Sequence, residues 1–212
     1  MSTSNTSSRL VDRLDLDMIE KFLVATFMAV LAARMVPVAI ETRALAPILL
    51  VLSEGLVVLF ILLRRPTDTI SKHREDWLVG LMGTLLPLMA IPPQGSPVFP
   101  IHIGEALMVT GFLLQLSAKL VLRRSFGVVA ANRGVKASGP YRLVRHPMYA
   151  GYTLTQIGFL LSGPVLWNFL IYGLTLFIAC RRIIAEERIL GQDEAYQALV
   201  RKVRYRLLPG VF

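Results

Sequence analysis

The chain has 212 residues, of which 54% are hydrophobic and only 17% charged, yet its formal net charge is +9. Soluble domains carry roughly 25% charged residues. A basic balance built on so few charges, with the apolar residues in long blocks, argues against a soluble fold, a disordered chain and a polar nucleic-acid-binding surface alike.

Residues 1–8 are rich in Ser, Thr and Asn and are expected to be disordered; they lack the apolar core and cleavage site of a secretory signal. A membrane span needs about 20 mainly apolar residues. Residues 18–40 qualify, interrupted by Arg34 and Pro37, and residues 44–63 qualify with Glu54 inside. Residues 77–92 form a shorter apolar run, and residues 101–122 qualify with Glu105 and Lys119 towards the ends. Residues 150–163 and 164–180 are each short and are divided by Ser162-Gly163-Pro164. They read as a helical hairpin or as two short tilted spans. Helices are expected because a spanning segment must satisfy its own backbone hydrogen bonds.

Basic residues favour cytoplasmic loops. They cluster after the second span (Arg64, Arg65, Lys72, Arg74), after the fourth (Arg123, Arg124, Arg133, Lys136, Arg142, Arg145) and after the last (Arg181, Arg182, Arg188, Arg201, Lys202, Arg204, Arg206). The intervening loops are nearly empty of Lys and Arg: 41–43 holds Arg43 and 93–100 holds none. This alternation predicts that both termini are cytoplasmic, and it puts the Asn5 sequon on the side that is not glycosylated. The positive charge is then a topology signal with attraction to anionic lipid headgroups. No aromatic residues interleave the basic runs as a nucleic-acid stacking platform requires. The single thiol, Cys180, makes neither a disulfide framework nor a cysteine zinc site. His73 is expected in a solvated loop and His102 at an interface. No two histidines have metal-ligand spacing, so no metal is expected. Glu54 is expected to pair with Arg34 or to contact another helix.

The chemistry concentrates in the C-terminal third. The polar loop 123–149 contains a tight turn at Gly139-Pro140, and Pro147 holds His146 extended. Such a segment at a membrane mouth exposes backbone N–H and C=O groups to a flat polar ligand, with Tyr141, His146 and Tyr149 beside it. It also reads as a basic loop with interfacial aromatic anchors. Arg182 and Glu186 are four apart and share a helix face; they form either a surface ion pair or part of a pocket at the membrane edge. Gly191 can stop that helix and Asp193 can cap another. In it, Tyr196, Leu199, Val200 and Val203 oppose Arg201, Lys202 and Arg204, as in an amphipathic interfacial helix.

Gly139-Pro140-Tyr141, Arg145-His146-Pro147-x-Tyr149-x-Gly151, Glu186-Glu187-x-x-Leu190, Tyr196 and the closing Tyr205-Arg206-Leu207-Leu208-Pro209 occur in that order. Over residues 125–209 the chain thereby resembles the isoprenylcysteine carboxyl methyltransferase family, integral membrane enzymes that use S-adenosylmethionine. Phospholipid N-methyltransferases and membrane thiol methyltransferases look similar in this region, and some sterol reductases with a nicotinamide cofactor carry a related Arg-His motif. The resemblance implies cofactor contacts from Arg133, Gly134, Val135, Lys136, Tyr141, His146, Pro147, Met148, Tyr149 and Glu186. The family has a histidine where this chain has Arg133, and a glutamine of the eukaryotic members falls near Ala130. Arg182 matches an arginine on the substrate side. It is the candidate catalytic and substrate-binding residue, a bidentate clamp for an acceptor carboxylate.

The expectation is therefore an all-α, multi-pass integral membrane protein of about five to six transmembrane helices. Residues 1–122 would supply N-terminal membrane helices. Residues 123–212 would form a methyltransferase core with a cytoplasmic cofactor pocket and a C-terminal interfacial helix. The expected acceptor is lipophilic, enters from the bilayer, and is a carboxylate such as that of a prenylcysteine. A phospholipid amine, a small thiol, a reduction, and a lipid-binding membrane scaffold are the competing readings.

Overall fold

The computed structural model describes residues 18–212 except 31–32, 34–35, 38–39, 42–44, 65–66, 68, 94–95, 98 and 211. The expected disorder of residues 1–8 and the pairing of Glu54 with Arg34 lie outside the described residues. Within them the fold is all-helical. α1 covers residues 18–30, α2 Leu45–Leu63, α3 Arg74–Leu85, α4 Ile101–Leu122, α5 Pro147–Ser162, α6 Leu166–Leu190 and α7 Glu194–Lys202. One isolated antiparallel bridge joins Ile70 to Ala131.

Two helices, the one starting at Ile101 and α6, are long and apolar enough to cross a membrane. Their outward faces carry exposed Leu113, Leu120, Phe169, Leu170, Leu174 and Phe177. Apolar patches of that extent are not left to water by soluble monomers, and the chain is a membrane protein.

The apolar run at 77–92 is built differently from a single span. Its helix starts earlier, at Arg74, and tightens into a 3-10 turn, Leu86–Met89, at Pro87. The last two segments break where expected, at Gly163 and Pro164 between α5 and α6. As the stop at Gly191 predicts, α6 runs past Cys180 as one helix to Leu190, because Arg181 to Leu190 contains no helix breaker and its charges find partners at the helix end.

α5 does not form a packed hairpin with α6; its main partner is α4. Small residues set this choice. A Cβ on Gly111 would stand 2.6 Å from the Gly151 carbonyl oxygen, and one on Gly158 would stand 2.5 Å from that of Gly104. Glycines at these four places let two helix backbones approach as close-packed membrane helices do. α6 packs instead along α3. The ends of the helices are matched accordingly. Glu20 near the start of α1 meets Arg64 at the end of α2 (2.8 Å), and Asp76 at the start of α3 meets Arg188 near the end of α6. At the other end of the α3–α6 pair, Asn168 near the start of α6 exchanges hydrogen bonds with Ile91.

The structure revises two further expectations. Arg64 is not a free loop charge: it is 2% exposed, in the ion pair with Glu20. α7 is amphipathic, but Tyr196 and Leu199, with Val203 beyond its end, are buried against Val135 and Leu190. Most of its apolar face is taken up by the protein, while Val200 stays exposed. As expected, Asp193 caps it, accepting from the Ala195 N–H at 2.8 Å.

Candidate active site

The loop after α4 forms one wall of a cleft. It is held like a strand: the Ser71 N–H donates to the Ala130 carbonyl (2.9 Å) and the Asn132 N–H to that of Thr69 (3.1 Å). Glu20 Oε1 accepts the N–H groups of Val128 (2.7 Å) and Val129 (2.9 Å). Gly134, at φ +96°, turns the chain out of this segment, a conformation that disfavours any side chain. Its N–H is taken by Asn132 Oδ1. Val135 and Lys136 then run in neither helix nor strand to the 3-10 turn Gly139–Arg142, where Tyr141 is buried. Burial first, and Glu186 second, hold the Tyr141 phenol above its ordinary pKa, so it is a neutral hydrogen-bonding group at physiological pH.

The opposite wall is the start of α5 and the end of α6. Pro147 is the first residue of α5, where its missing N–H is no loss. The C-terminal segment holds the approach to it: the Arg145 N–H donates to the Tyr205 carbonyl (3.0 Å) and the His146 N–H to that of Arg206 (2.8 Å). The imidazole stands between two carboxylates, with Nδ1 3.5 Å from Glu186 and Nε2 3.2 Å from Glu187. Burial alone would lower the pKa of His146, but its hydrogen bonds to Glu186 and then Glu187 carry it above its ordinary value.

The two glutamates are neighbours in sequence, about 100° apart on a helix of 3.6 residues per turn, and they divide their contacts. Glu186 faces the cleft and accepts a hydrogen bond from the Tyr149 hydroxyl. Glu187 faces the C-terminal segment. It accepts from Tyr196 (3.0 Å) and Arg206 Nε (2.8 Å), and it is ion-paired with Arg145 (3.0 Å).

Arg133, Gly134, Val135, Lys136, Tyr141, His146, Met148, Tyr149 and Glu186, drawn from three separate segments, all line this one cleft. The cleft opens to the outside and encloses about 100 Å³ of its own. Pro147 is buried beneath the wall and shapes it. Arg133 is held by Glu20 at 3.2 Å. Arg182 is not on the cleft wall. Its guanidinium lies 5.3 Å from the Tyr149 ring centroid and donates to the Val128 carbonyl at 2.9 Å. It borders a narrow crevice, too tight for a water molecule, with Asp76, Val128, Ala130 and Glu186. Gly83 makes room for it: a Cβ there would stand 2.9 Å from Arg182 Cδ.

Sequence reasoning missed Glu20, Glu187 and Tyr196 as parts of this site. Glu20 carried a signal, a carboxylate at the edge of an apolar run. Among the described residues, no group of three or more His, Cys, Asp or Glu is placed to hold a metal ion. The cleft instead suits an organic ligand with a cationic centre, through the Glu186 carboxylate and the tyrosine rings.

Residues 100–197, from the start of α4 into α7, match the sequence profile of the phospholipid methyltransferase family. No curated protein matches the chain.

Proposed function

We propose that this chain, whose residues 100–197 belong to the phospholipid methyltransferase family, is a multi-pass membrane enzyme that uses S-adenosylmethionine to methylate a lipophilic acceptor. The family is one of membrane methyltransferases. The observation that carries the reading is the convergence of nine resemblance-implied residues on a single cleft beside Glu186.

S-adenosylmethionine supplies an activated methyl group on a sulfonium cation. Glu186 and the rings of Tyr141 and Tyr149 suit that cation, and the backbone of 134–136 offers hydrogen bonds to its polar ends. His146 orients Glu186, and Tyr149 donates to it. Arg133 and Lys136 add positive charge on the wall, suited to a carboxylate tail. Methyl transfer is an in-line displacement, so the role of these residues is alignment at near-attack distance.

The apolar outer faces of α4 and α6 favour an acceptor that arrives through the bilayer. For its reacting group our reading is a carboxylate, such as that of a prenylcysteine. A carboxylate, with a reference pKa of about 4, is already ionised and needs no base. Arg182 would clamp it from behind Tyr149 and Glu186, using the donors it does not spend on Val128. A phospholipid amine is the second reading. The position of Arg182 off the cleft wall and the description of the matched family favour it.

We read both termini and the cleft as cytoplasmic, with residues 1–122 supplying membrane helices and 123–212 the methyltransferase core. The pairing of helix ends supports alternating crossings: α1 start with α2 end, and α3 start with α6 end.

The deciding experiment is methyl transfer from radiolabelled S-adenosylmethionine in native membranes, followed by extraction of the labelled molecule. A labelled lipophilic acid ester supports the first reading and a labelled phospholipid the second. Absence of S-adenosylhomocysteine binding alongside clear nicotinamide binding overturns both. Arg182→Lys should lower turnover far more than cofactor affinity, since lysine keeps the charge but loses the planar fork; normal turnover removes Arg182 from the site. Cysteines placed at Ser2 and Gly95, on a Cys180→Ser background, test the topology. Labelling from outside intact cells should mark position 95 alone.

A further inference from the structure

The cleft wall depends on a residue far from it in sequence. Glu20 lies on α1, outside residues 100–197, and is 2% exposed. Its single carboxylate joins three parts of the protein. Oε1 takes the backbone N–H groups of Val128 and Val129. Oε2 meets Arg133 at 3.2 Å and Arg64 at 2.8 Å. Val129 and Arg133 line the cleft. The Val128 carbonyl, on the other side of the same peptide segment, is held by Arg182. The segment 128–133 is thus pinned on one side by an acidic residue of α1 and on the other by a basic residue of α6.

We infer that Glu20 is a positioning residue for the cofactor cleft: it sets the backbone of Val128 and Val129 and aims Arg133 along the wall. This rests on the reading of the cleft as a cofactor site. The physical case is the geometry of a carboxylate. One side accepts two adjacent N–H groups and the other receives two guanidinium groups, so both oxygens are used and one negative charge is shared by two cations where water is excluded. An amide could not do this. It would present an NH₂ group either to the backbone donors or to the arginines. Arg64 supplies the internal control, because it shares the carboxylate but is not on the cleft wall.

The test is calorimetry of S-adenosylhomocysteine binding to the full-length protein in detergent, with thermal unfolding on the same preparations. Glu20→Gln should bind about tenfold or more weakly, the loss expected for a misplaced charge-assisted contact. In assay, KM for the cofactor should rise while kcat at saturating cofactor stays near that of the parent. Arg64→Gln should lower Tm but bind as the parent does. Parental affinity in Glu20→Gln overturns the inference. So does equal weakening in Arg64→Gln, which would mean that only general stability is lost. Should Glu20→Gln not fold, Glu20→Asp replaces it. The shorter side chain keeps the charge but cannot reach the loop and both arginines together, so it should bind the product more weakly at a Tm close to the parent's; parental affinity overturns the inference. A parent protein that binds no S-adenosylhomocysteine overturns the cofactor reading itself, a result distinct from a parent and variant that bind alike.

Discussion

At the cleft end of the helices, Glu20, Asp76 and Glu187 each gather donors from separate parts of the chain. At the opposite end, α6 is joined to the segment after α3 by neutral groups. Asn168 accepts from the Ile91 N–H (3.0 Å) and donates to its carbonyl (2.9 Å), while the Trp167 indole donates to Met89 (2.8 Å). Both ends fasten helices, so fastening alone does not call for charge. Buried ion pairs cost desolvation and are seldom more stabilising than apolar or neutral replacements. Among the described residues they concentrate at the end that holds the cleft. There, removing one partner leaves other charges stranded.

That contrast can be broken most directly at Glu187. Glu187→Ala leaves Arg145, His146 and Arg206 without their shared carboxylate. It should cost about 1.5–3 kcal/mol of stability, the range for hydrogen bonds to a charged group, read by thermal or denaturant unfolding in detergent. A loss under 1 kcal/mol would mean that this cluster is no more than a surface network. The same cluster makes a pH prediction. Folding raises the pKa of His146 above its ordinary 6.5, so the folded chain holds the proton more tightly than the unfolded one. The resulting stabilisation is full below the ordinary value and is lost as pH rises through the raised one. Unfolding measured from acidic to alkaline buffer should show that decline, and His146→Gln should flatten it.

The neutral end should respond less. Asn168→Ala strands the N–H and carbonyl of Ile91, and about 1–3 kcal/mol should be lost with S-adenosylhomocysteine affinity unchanged. A drop in affinity would show that the two ends are coupled and that the contrast is false. The smallest effect is expected at Asp193, which caps α7 and also accepts from Asn132 at 2.8 Å. Asp193→Ala should cost about 1 kcal/mol as a lost helix cap. Because it also unties α7 from the loop, the variant should release product faster, a change that stopped-flow dissociation can detect.

Much of this protein was legible where the code is local. The apolar runs, the turn at Gly139-Pro140, the stop at Gly163-Pro164 and the Asp193 cap each depend on a few adjacent residues. So does the grouping of Tyr141 with His146 to Tyr149, because nine residues of chain hold them together. Other features became visible only in three dimensions. Glu20 pairs with Arg133 across 113 residues and Asp76 with Arg188 across 112, and no sequence spacing encodes a meeting between distant segments. The choice of α4 as the partner of α5 came from backbones that approach at four glycines, each unremarkable in its own helix. The amphipathic pattern of α7 specified a buried face but not its cover, since protein and membrane interface satisfy the same pattern. The direction of Arg182 was undetermined for a similar reason. Helical spacing put it on a face with Glu186, but only the packing of α6 against Gly83 and Val128 decided that it lies behind Tyr149, off the cleft wall.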